Sequence, residues 1–322
     1  MSMRRFVVPE TTTARSRFAV DVEYYLSLAP RQLPSEHLYD ELGSELFEAI
    51  CRLPWYGITR AEQRLLERLA SDIISRVAPI STIIELGPGS GLKLATLLSA
   101  RPAGPMTVHL VDVSAAALEA AGRALASHID LEVVPHEATY EAGLSEIAGS
   151  RRAGGRTLTL FLGSNIGNFD PPGAAAFLDN IRTAMSVGDS LLLGADLLKP
   201  EADLLLAYDD PLGVTAAFNR NLLVRANSEL GADFDLASFS HRAVWNAGAL
   251  RIEMHLVSAR RQRVCVPVAD LDITFELGDT IWTESSYKYR ADQIVAMVER
   301  AGFITTSQWS DDGFALTLAA AR

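Results

Sequence analysis

The sequence predicts an α/β fold, a Rossmann-like, doubly wound and mostly parallel sheet into which a smaller α+β region is inserted. Two observations support this prediction. Short apolar strands alternate with helical patterns over residues 81–195, and such alternation requires parallel crossovers. The alternation breaks between about 197 and 288, and a helix and a hairpin then complete the chain.

Composition is that of a globular protein and excludes several classes of function. Of the 322 residues, 48% are hydrophobic and 21% are charged. The net charge of −11 argues against a nucleic-acid partner, and no apolar run reaches the roughly 18 residues needed to span a membrane. Two cysteines predict free thiols in the cytoplasm. The six histidines lack acidic neighbours at ligand spacing, so no metal is expected.

The first 80 residues are predicted to be helical after a flexible start. Residues 1–17 are polar and rich in threonine and arginine, and we expect them to be flexible. Apolar spacing predicts helices at 20–28 and about 35–51. Thr59, with Glu62 three residues later, is predicted to cap the helix that follows.

The core alternates regularly. It is predicted to have strands at 81–86, 107–113, 131–135, 156–162 and 189–195, with helices at 91–100, 114–126, 141–149 and 173–186. The C-terminal helix 290–301 and strands 303–309 and 314–320 would add an antiparallel hairpin to the sheet. The inserted region has predicted helices at 201–208 and 212–229 and strands near 241–247, 250–260, 263–268 and 271–277. Since ligands bind at the carboxyl ends of parallel strands, we expect this insertion to cover a substrate there.

A glycine-rich loop follows the first core strand. Gly87, Gly89 and Gly91 allow the backbone to bend sharply and approach a ligand, and Asp112 ends the next strand, where a carboxylate can accept hydrogen bonds from a ribose. The spacing G-x-G-x-G differs from the dinucleotide pattern. Glu85, before the loop, would repel a pyrophosphate. The loop therefore favours S-adenosylmethionine (SAM), which has a positive centre and no phosphates.

Polar loops elsewhere are less specific. Residues 163–168 end an apolar strand with glycine, serine and asparagine, which commonly form turns. Because this strand neighbours the predicted cofactor, we expect the loop to hold the methyl acceptor. Segments 207–210, 213–221 and 283–289 combine polar and aromatic residues, and a solvated face or an edge strand would explain them equally well.

Together these segments resemble the histidine Nα-methyltransferases of ergothioneine biosynthesis, SAM-dependent enzymes that convert L-histidine to hercynine. The resemblance runs from about residue 33 to the C-terminus and implies a class I methyltransferase fold. It depends on segments 39–47, 59–62, 163–168, 208–210, 213–221, 251–254 and 283–289.

The resemblance also implies roles for particular residues. The cofactor-binding set is Tyr56, Gly87, Gly89, Lys93, Asp112, Thr139 and Tyr140. Asn168 and Tyr208 would hold the amino-acid end of the substrate, and Glu284 and Ser286, with Met254, would recognise the imidazole. The remaining substrate residues are Tyr39, Phe47 and Gly163 around the amine, and Thr215. Tyr39 and Asn168 are the catalytic candidates. The family usually has Gly-Asp-Phe where this chain has Ala138-Thr139-Tyr140, which puts an adenine contact in question.

These roles predict an aromatic pocket that favours the neutral amine and stabilises the quaternary product by about 0.5–2 kcal/mol. Tyr39 could accept a proton through water. Residues 60–196 and 289–322 are expected to form the SAM-binding core, residues 18–59 and 197–288 the substrate-binding part, and the protein to be a monomer. Two alternatives stay open: methylation of tryptophan or tyrosine, and an inactive SAM-binding regulatory protein. Glu284, Ser286 and Met254 favour histidine.

Overall fold

The computed structural model describes residues 16–150 and 155–322. Its helices are α1 Arg17–Leu26, α2 Glu41–Cys51, α3 Gly57–Val77, α4 Leu92–Ser99, α5 Ala115–Leu125, α6 Tyr140–Ser150, α7 Pro171–Ala184, α8 Glu201–Tyr208, α9 Val214–Leu230 and α10 Ala291–Arg300. Its strands are β1 Arg31–Gln32, β2 Thr82–Leu86, β3 Met106–Asp112, β4 Leu131–Glu137, β5 Thr157–Phe161, β6 Ser190–Asp196, β7 Phe239–Asn246, β8 Arg251–Ser258, β9 Gln262–Val266, β10 Leu271–Phe275, β11 Thr280–Tyr287, β12 Phe303–Asp311 and β13 Phe314–Ala321.

The main sheet has seven strands in the order β12-β13-β6-β5-β2-β3-β4. Strands β2 to β6 pair in parallel, whereas β13 runs antiparallel to β6 and forms a hairpin with β12. Helices α3, α4 and α5 pack on one face of the sheet, and α6, α7 and α10 pack on the other. The main sheet is covered on both faces, so β5 and β6 are buried along almost their whole length and are rich in leucine. The predicted doubly wound α/β fold is confirmed.

A second sheet, in the order β1-β11-β8-β7, and the hairpin β9–β10 come from the inserted region and the short strand β1. Apolar residues of β8 pack against α9 in the same core. No strand was assigned to β11 from the sequence, because the polar residues of segment 283–289 left a solvated face and an edge strand as alternatives. In the structure, β11 lies inside the sheet between β1 and β8.

Two helix predictions near the N-terminus need correction. The predicted helix 35–51 is broken into a short 3₁₀ helix at Ser35–Leu38 and α2, because the Asp40 carboxylate accepts a hydrogen bond from the Gly43 N–H (2.7 Å) and caps α2. Tyr39 lies in the break. Helix α3 begins at Gly57, so Thr59 is inside the helix and does not cap it.

The prediction of a flexible N-terminus falls mainly outside the described residues, since residues 1–15 are not among them. Where the description begins, Ser16 accepts a hydrogen bond from the Ala19 N–H (3.2 Å) and caps α1. Arg17, which the prediction included in the flexible segment, is therefore helical.

Candidate active site

A cavity of about 1730 Å³ lies at the carboxyl edge of the parallel strands, with walls from both the main sheet and the inserted region. Twelve predicted site residues line it: Tyr39, Phe47, Tyr56, Gly87, Gly89, Lys93, Asp112, Thr139, Tyr140, Gly163, Asn168 and Glu284. The other four are buried and do not line it: Tyr208, Thr215, Met254 and Ser286. The structure thus brings the predicted residues to one place, and their contacts with ligands stay predictions.

The three glycines of the loop after β2 all have positive φ angles, but their surroundings differ. A Cβ on Gly91 would lie 2.7 Å from the Ala121 Cα, so this glycine lets α4 pack against α5. A Cβ on Gly87 would lie 2.8 Å from the hydroxyl of Tyr140. Gly89 has no atom within 4 Å of its Cβ position, and its backbone is therefore open to a ligand in the cavity.

Polar side chains at the end of β3 and directly after β4 lie at the same edge of the sheet. Burial raises the pKa of Asp112 to about 6, so its carboxylate is ionised at neutral pH and can accept hydrogen bonds from a ribose. Thr139 accepts a weak hydrogen bond from the Ala142 N–H at 3.4 Å, and Tyr140 packs against Phe161. An open glycine backbone, a carboxylate and an aromatic ring fit SAM.

The prediction that Glu85 would repel a pyrophosphate from this loop was wrong. Glu85 is 1% exposed within β2, and burial raises its pKa to about 8 against the opposing charge of Lys93. The acid is mostly neutral at pH 7 and would not repel an anion. The prediction failed because Glu85 belongs to the buried strand and not to the loop. The argument against a dinucleotide therefore depends on the glycine spacing.

Tyr39, Phe47 and Tyr56 line the same cavity as the glycine loop, and the buried rings of Phe218 and Tyr208 pack against them. The ring of Tyr39 lies 5.5 Å from those of Phe47 and Phe218, and the rings of Tyr56 and Tyr208 are 6.0 Å apart. Burial raises the pKa of Tyr39 well above 10, which disfavours the phenolate that a proton acceptor would need. Phe218 was not predicted, because one aromatic residue in a helical segment is usually part of the core.

Glu284 lines the cavity together with its neighbours Thr283 and Ser285, and it follows a bulge in β11 between Trp282 and Glu284. The bulge shifts the register so that Glu284 pairs with Met254 and Ser286 with Ile252. Paired residues point to the same face, so Glu284 and Ser286 share the face that Met254 and Ile252 occupy. Burial raises the pKa of Glu284 to about 7, and the Lys288 ammonium opposes this shift.

The carboxylate of Glu62 connects α3 to the loop after β5. Its oxygens accept hydrogen bonds from the Gly163 N–H (2.9 and 3.0 Å) and pair with the Lys93 ammonium (2.6 Å). Glu62 is fully buried, so it positions both residues from behind the cavity. The sequence interpretation as part of a helix cap missed this role. The available signal was the place of Glu62 on the apolar face of α3.

The statement that no histidine has an acidic neighbour at ligand spacing was wrong. His37 lies with Asp21 and Glu36 so that one ligand atom of each falls within 4.8 Å of the others. The His37 ring is 2.8 Å from the Asp21 carboxylate, and Glu36 pairs with Arg17 at 2.8 Å. These pairings occupy the donor atoms, and the expectation of no metal stays a prediction.

Over residues 16–150 and 155–322, no helix combines the length and the apolar character that a membrane crossing requires.

Comparison with known proteins identifies the family. Residues 18–322 match the family described as histidine-specific methyltransferase, SAM-dependent. The chain is 41% identical to histidine N-alpha-methyltransferase of Mycolicibacterium smegmatis, covering 93% of both chains. It is 42% identical to the protein of that name from Mycobacterium tuberculosis, covering 93% of this chain and 94% of the relative. Ergothioneine biosynthesis protein 1 of Neurospora crassa is 29% identical over 87% of this chain and 32% of its own length. The chain belongs to the family of SAM-dependent, histidine-specific methyltransferases.

Proposed function

We propose that this protein transfers three methyl groups in succession from SAM to the α-amino nitrogen of L-histidine, which gives hercynine for ergothioneine biosynthesis. One observation carries the proposal: Glu284 lines the same cavity as the glycine loop and Asp112. An acceptor for an imidazole N–H therefore faces the same space as the cofactor edge. The names of the relatives from Mycolicibacterium smegmatis and Neurospora crassa agree with this substrate and pathway.

The residues of the cavity suit methyl transfer to an amine. Bound SAM supplies an electrophilic methyl group on its sulfonium. Transfer requires a neutral amine in line with that group, so most of the catalysis is positioning. Tyr39 and Phe47 provide a weakly hydrated surface that favours the neutral amine. Asn168, at the end of a short 3₁₀ helix, is placed to hold the amino-acid end while Glu284 accepts from the imidazole.

The proposal also assigns each ligand to particular segments of the chain. Residues 60–196 and 289–322 would bind SAM, and residues 18–59 and 197–288 would bind histidine. The first of these boundaries falls within α3, so that helix contributes to both parts. We also propose a cytoplasmic monomer, which the two free cysteines support. Light scattering of the purified protein tests the oligomeric state.

The test is mass spectrometry of reactions that contain the purified protein, SAM and one amino acid. We expect histidine to gain three methyl groups and tryptophan and tyrosine to gain none. Methylation of tryptophan or tyrosine in place of histidine would overturn the assigned substrate. If calorimetry shows binding of S-adenosylhomocysteine while no amino acid is methylated, the chain is a regulatory protein and not an enzyme.

A further inference from the structure

Glu62 is a fully buried acid next to the cavity, and the main sheet leaves room for its side chain. The residue is 0% exposed and lies on the apolar face of α3. A Cβ on Gly194 in β6 would lie 2.3 Å from the Oε1 atom of Glu62, although the φ angle of Gly194 is not among the positive ones. Glycine at position 194 is therefore required for space and not for backbone conformation.

The two partners of Glu62 line the cavity, and both keep hydrogen-bonding capacity for a ligand. The Gly163 N–H donates to the Glu62 oxygens at 2.9 and 3.0 Å, and among the described residues the Gly163 carbonyl accepts no hydrogen bond. The Lys93 ammonium pairs with Glu62 at 2.6 Å, which leaves N–H donors among its three for a ligand. The Cβ position of Gly163 is 3.1 Å from the Lys93 Nζ, so the cation and the carbonyl acceptor are neighbours held by one carboxylate.

The charge of Lys93 depends on this contact. Burial lowers the pKa of Lys93, but the Glu62 carboxylate raises it, so the pKa lies above its ordinary value and the ammonium stays charged. Without the carboxylate, burial would favour the neutral amine, which does not form an ion pair. Glu62 therefore maintains a cation at the cavity as well as fixing its position.

A cation beside a carbonyl acceptor matches a zwitterionic amino acid, whose carboxylate pairs with the one and whose ammonium donates to the other. Both ligands of this family, SAM and histidine, carry such a group. Histidine, however, must react as its neutral amine, and an acceptor that stabilises its ammonium would oppose the reaction. The arrangement at Lys93 and Gly163 therefore suits the amino-acid end of the cofactor.

We propose that Glu62 is a positioning residue for the amino-acid end of SAM, which holds the Lys93 ammonium and the Gly163 backbone together as its receptor. Lys93 pairs with the carboxylate of the cofactor, and the Gly163 carbonyl accepts from its ammonium. The proposal concerns the cofactor alone and does not depend on which amino acid is methylated.

A purely structural role for Glu62 would be to tie α3 to the loop after β5. Glutamine at this position keeps an oxygen that accepts from the Gly163 N–H, but it has no charge to pair with Lys93. A loosened loop would weaken the binding of every cofactor analogue in the same proportion. Loss of the ion pair with Lys93 would weaken only the ligands that carry a carboxylate, and this difference separates the two roles.

The experiment measures, by calorimetry, the Kd values of S-adenosylhomocysteine and of its decarboxylated analogue, which keeps the adenosine, the thioether and the amine. The proteins are the wild type, Glu62→Gln and the control Asp72→Asn. Asp72 is an acid of the same helix that is 40% exposed and pairs with Arg76 at 2.8 Å. We expect the wild type and Asp72→Asn to prefer S-adenosylhomocysteine by about ten-fold or more. Glu62→Gln should lose most of this preference through weaker binding of S-adenosylhomocysteine, with the affinity for the analogue retained.

An unchanged preference in Glu62→Gln, or an equal proportional loss for both ligands, would overturn the proposal, as would the same loss of preference in Asp72→Asn. If Glu62→Gln does not fold, Gly194→Ala is measured in its place. Its methyl group displaces the carboxylate without backbone strain, so the same loss of preference is expected, and a retained preference would overturn the proposal. Equal Kd values for the two ligands in the wild type would also overturn it, independently of any variant. Absence of histidine methylation would instead contradict the proposed function, since no methyl acceptor is present in these measurements.

Discussion

At the scale of single residues, Glu284, the proposed acceptor for the imidazole N–H, has a carboxyl group that titrates near neutral pH. Burial raises its pKa to about 7, so the carboxyl changes charge near neutral pH. Only the ionised form accepts a strong, charge-assisted hydrogen bond from an imidazole N–H. The protonated form would offer a proton where the substrate also offers one.

We therefore expect the KM for histidine to fall as the pH rises through about 7 in the wild type. Glu284→Gln should lower kcat/KM by about 10- to 100-fold and remove this inflection, because glutamine does not titrate. The substrate's own amine and imidazole, the latter with a pKa of about 6.5, also titrate, but they do so equally in both proteins. The contribution of Glu284 is therefore the difference between the two pH profiles, and identical profiles of KM against pH in the wild type and Glu284→Gln would remove Glu284 from the recognition of the ring.

At the scale of elements, the turn between β2 and α4 shows two different uses of glycine. Gly89 and Gly91 have φ angles of 53° and 74°, so alanine is strained at both, by about 1–3 kcal/mol. Only at Gly91 would a Cβ also meet backbone, that of Ala121 at 2.7 Å. Position 89 faces the cavity and position 91 faces the neighbouring helix.

The two alanine variants should therefore separate stability from binding. Gly91→Ala should lower the free energy of unfolding by about 1–3 kcal/mol more than Gly89→Ala, because α4 and α5 must move apart. Gly89→Ala should lose more affinity for S-adenosylhomocysteine, since its methyl group enters the ligand space. Thermal unfolding and calorimetry measure these effects. Equal unfolding temperatures for the two variants would contradict the proposed packing role of Gly91.

The sequence predicted the elements of the main sheet well and those of the inserted region less well. Strands β2, β5 and β6 are almost entirely buried, and the helices between the strands of this sheet follow a regular alternation, so the local pattern was sufficient. The break before α2 and the bulge in β11 depend on contacts that are distant in sequence. The Asp40 carboxylate that caps α2 also accepts a hydrogen bond at 2.6 Å from the side-chain amide of Asn221, 181 residues away, and the bulge exists only in the register with β8.

Site residues that belong to a recognisable sequence motif could be predicted, whereas buried charged residues near the site could not. The resemblance brought twelve cavity residues together by position. The burial of Glu62 and Lys288 was not predicted, because a charged residue in a sequence is ordinarily exposed. Their burial follows from partners more than 90 residues away: Gly163 for Glu62, and Asp196 for Lys288.

At the scale of the whole molecule, the carboxyl groups around the cavity affect folding stability. Burial raises the pKa of Glu85 to about 8, of Glu284 to about 7 and of Asp112 to about 6. Each value lies above that of the unfolded chain, about 4. The protonated carboxyl groups contribute their full stabilisation below the unfolded pKa of about 4. This contribution is lost as the pH rises through the pKa of each group in the folded protein. The buried histidines, whose pKa values are lowered, act oppositely below about 6.5.

Above about pH 7.5 the histidines are almost fully deprotonated in both the folded and the unfolded chain, so between pH 7.5 and 8.5 the unfolding temperature of the unliganded protein should fall as the pH rises. One carboxyl contributes at most about 1.4 kcal/mol per pH unit. Glu85→Gln should remove most of the slope, because its pKa lies within this range, whereas Glu299→Gln at the exposed end of α10 should leave it unchanged. A flat or rising unfolding temperature in the wild type would contradict this prediction.

The bulge at Thr283 has a consequence for redesign of the enzyme. Which side chains of β11 face the ring of the substrate depends on where the additional residue lies, since a shift by one position exchanges the two faces of the strand. A single-residue insertion or deletion between 280 and 284 would move Glu284 off the face that it shares with Met254 and change which side chains of β11 stand beside the substrate. Libraries that vary the length of this segment, and not only the identity of its side chains, are therefore the direct route to variants that accept other amino acids.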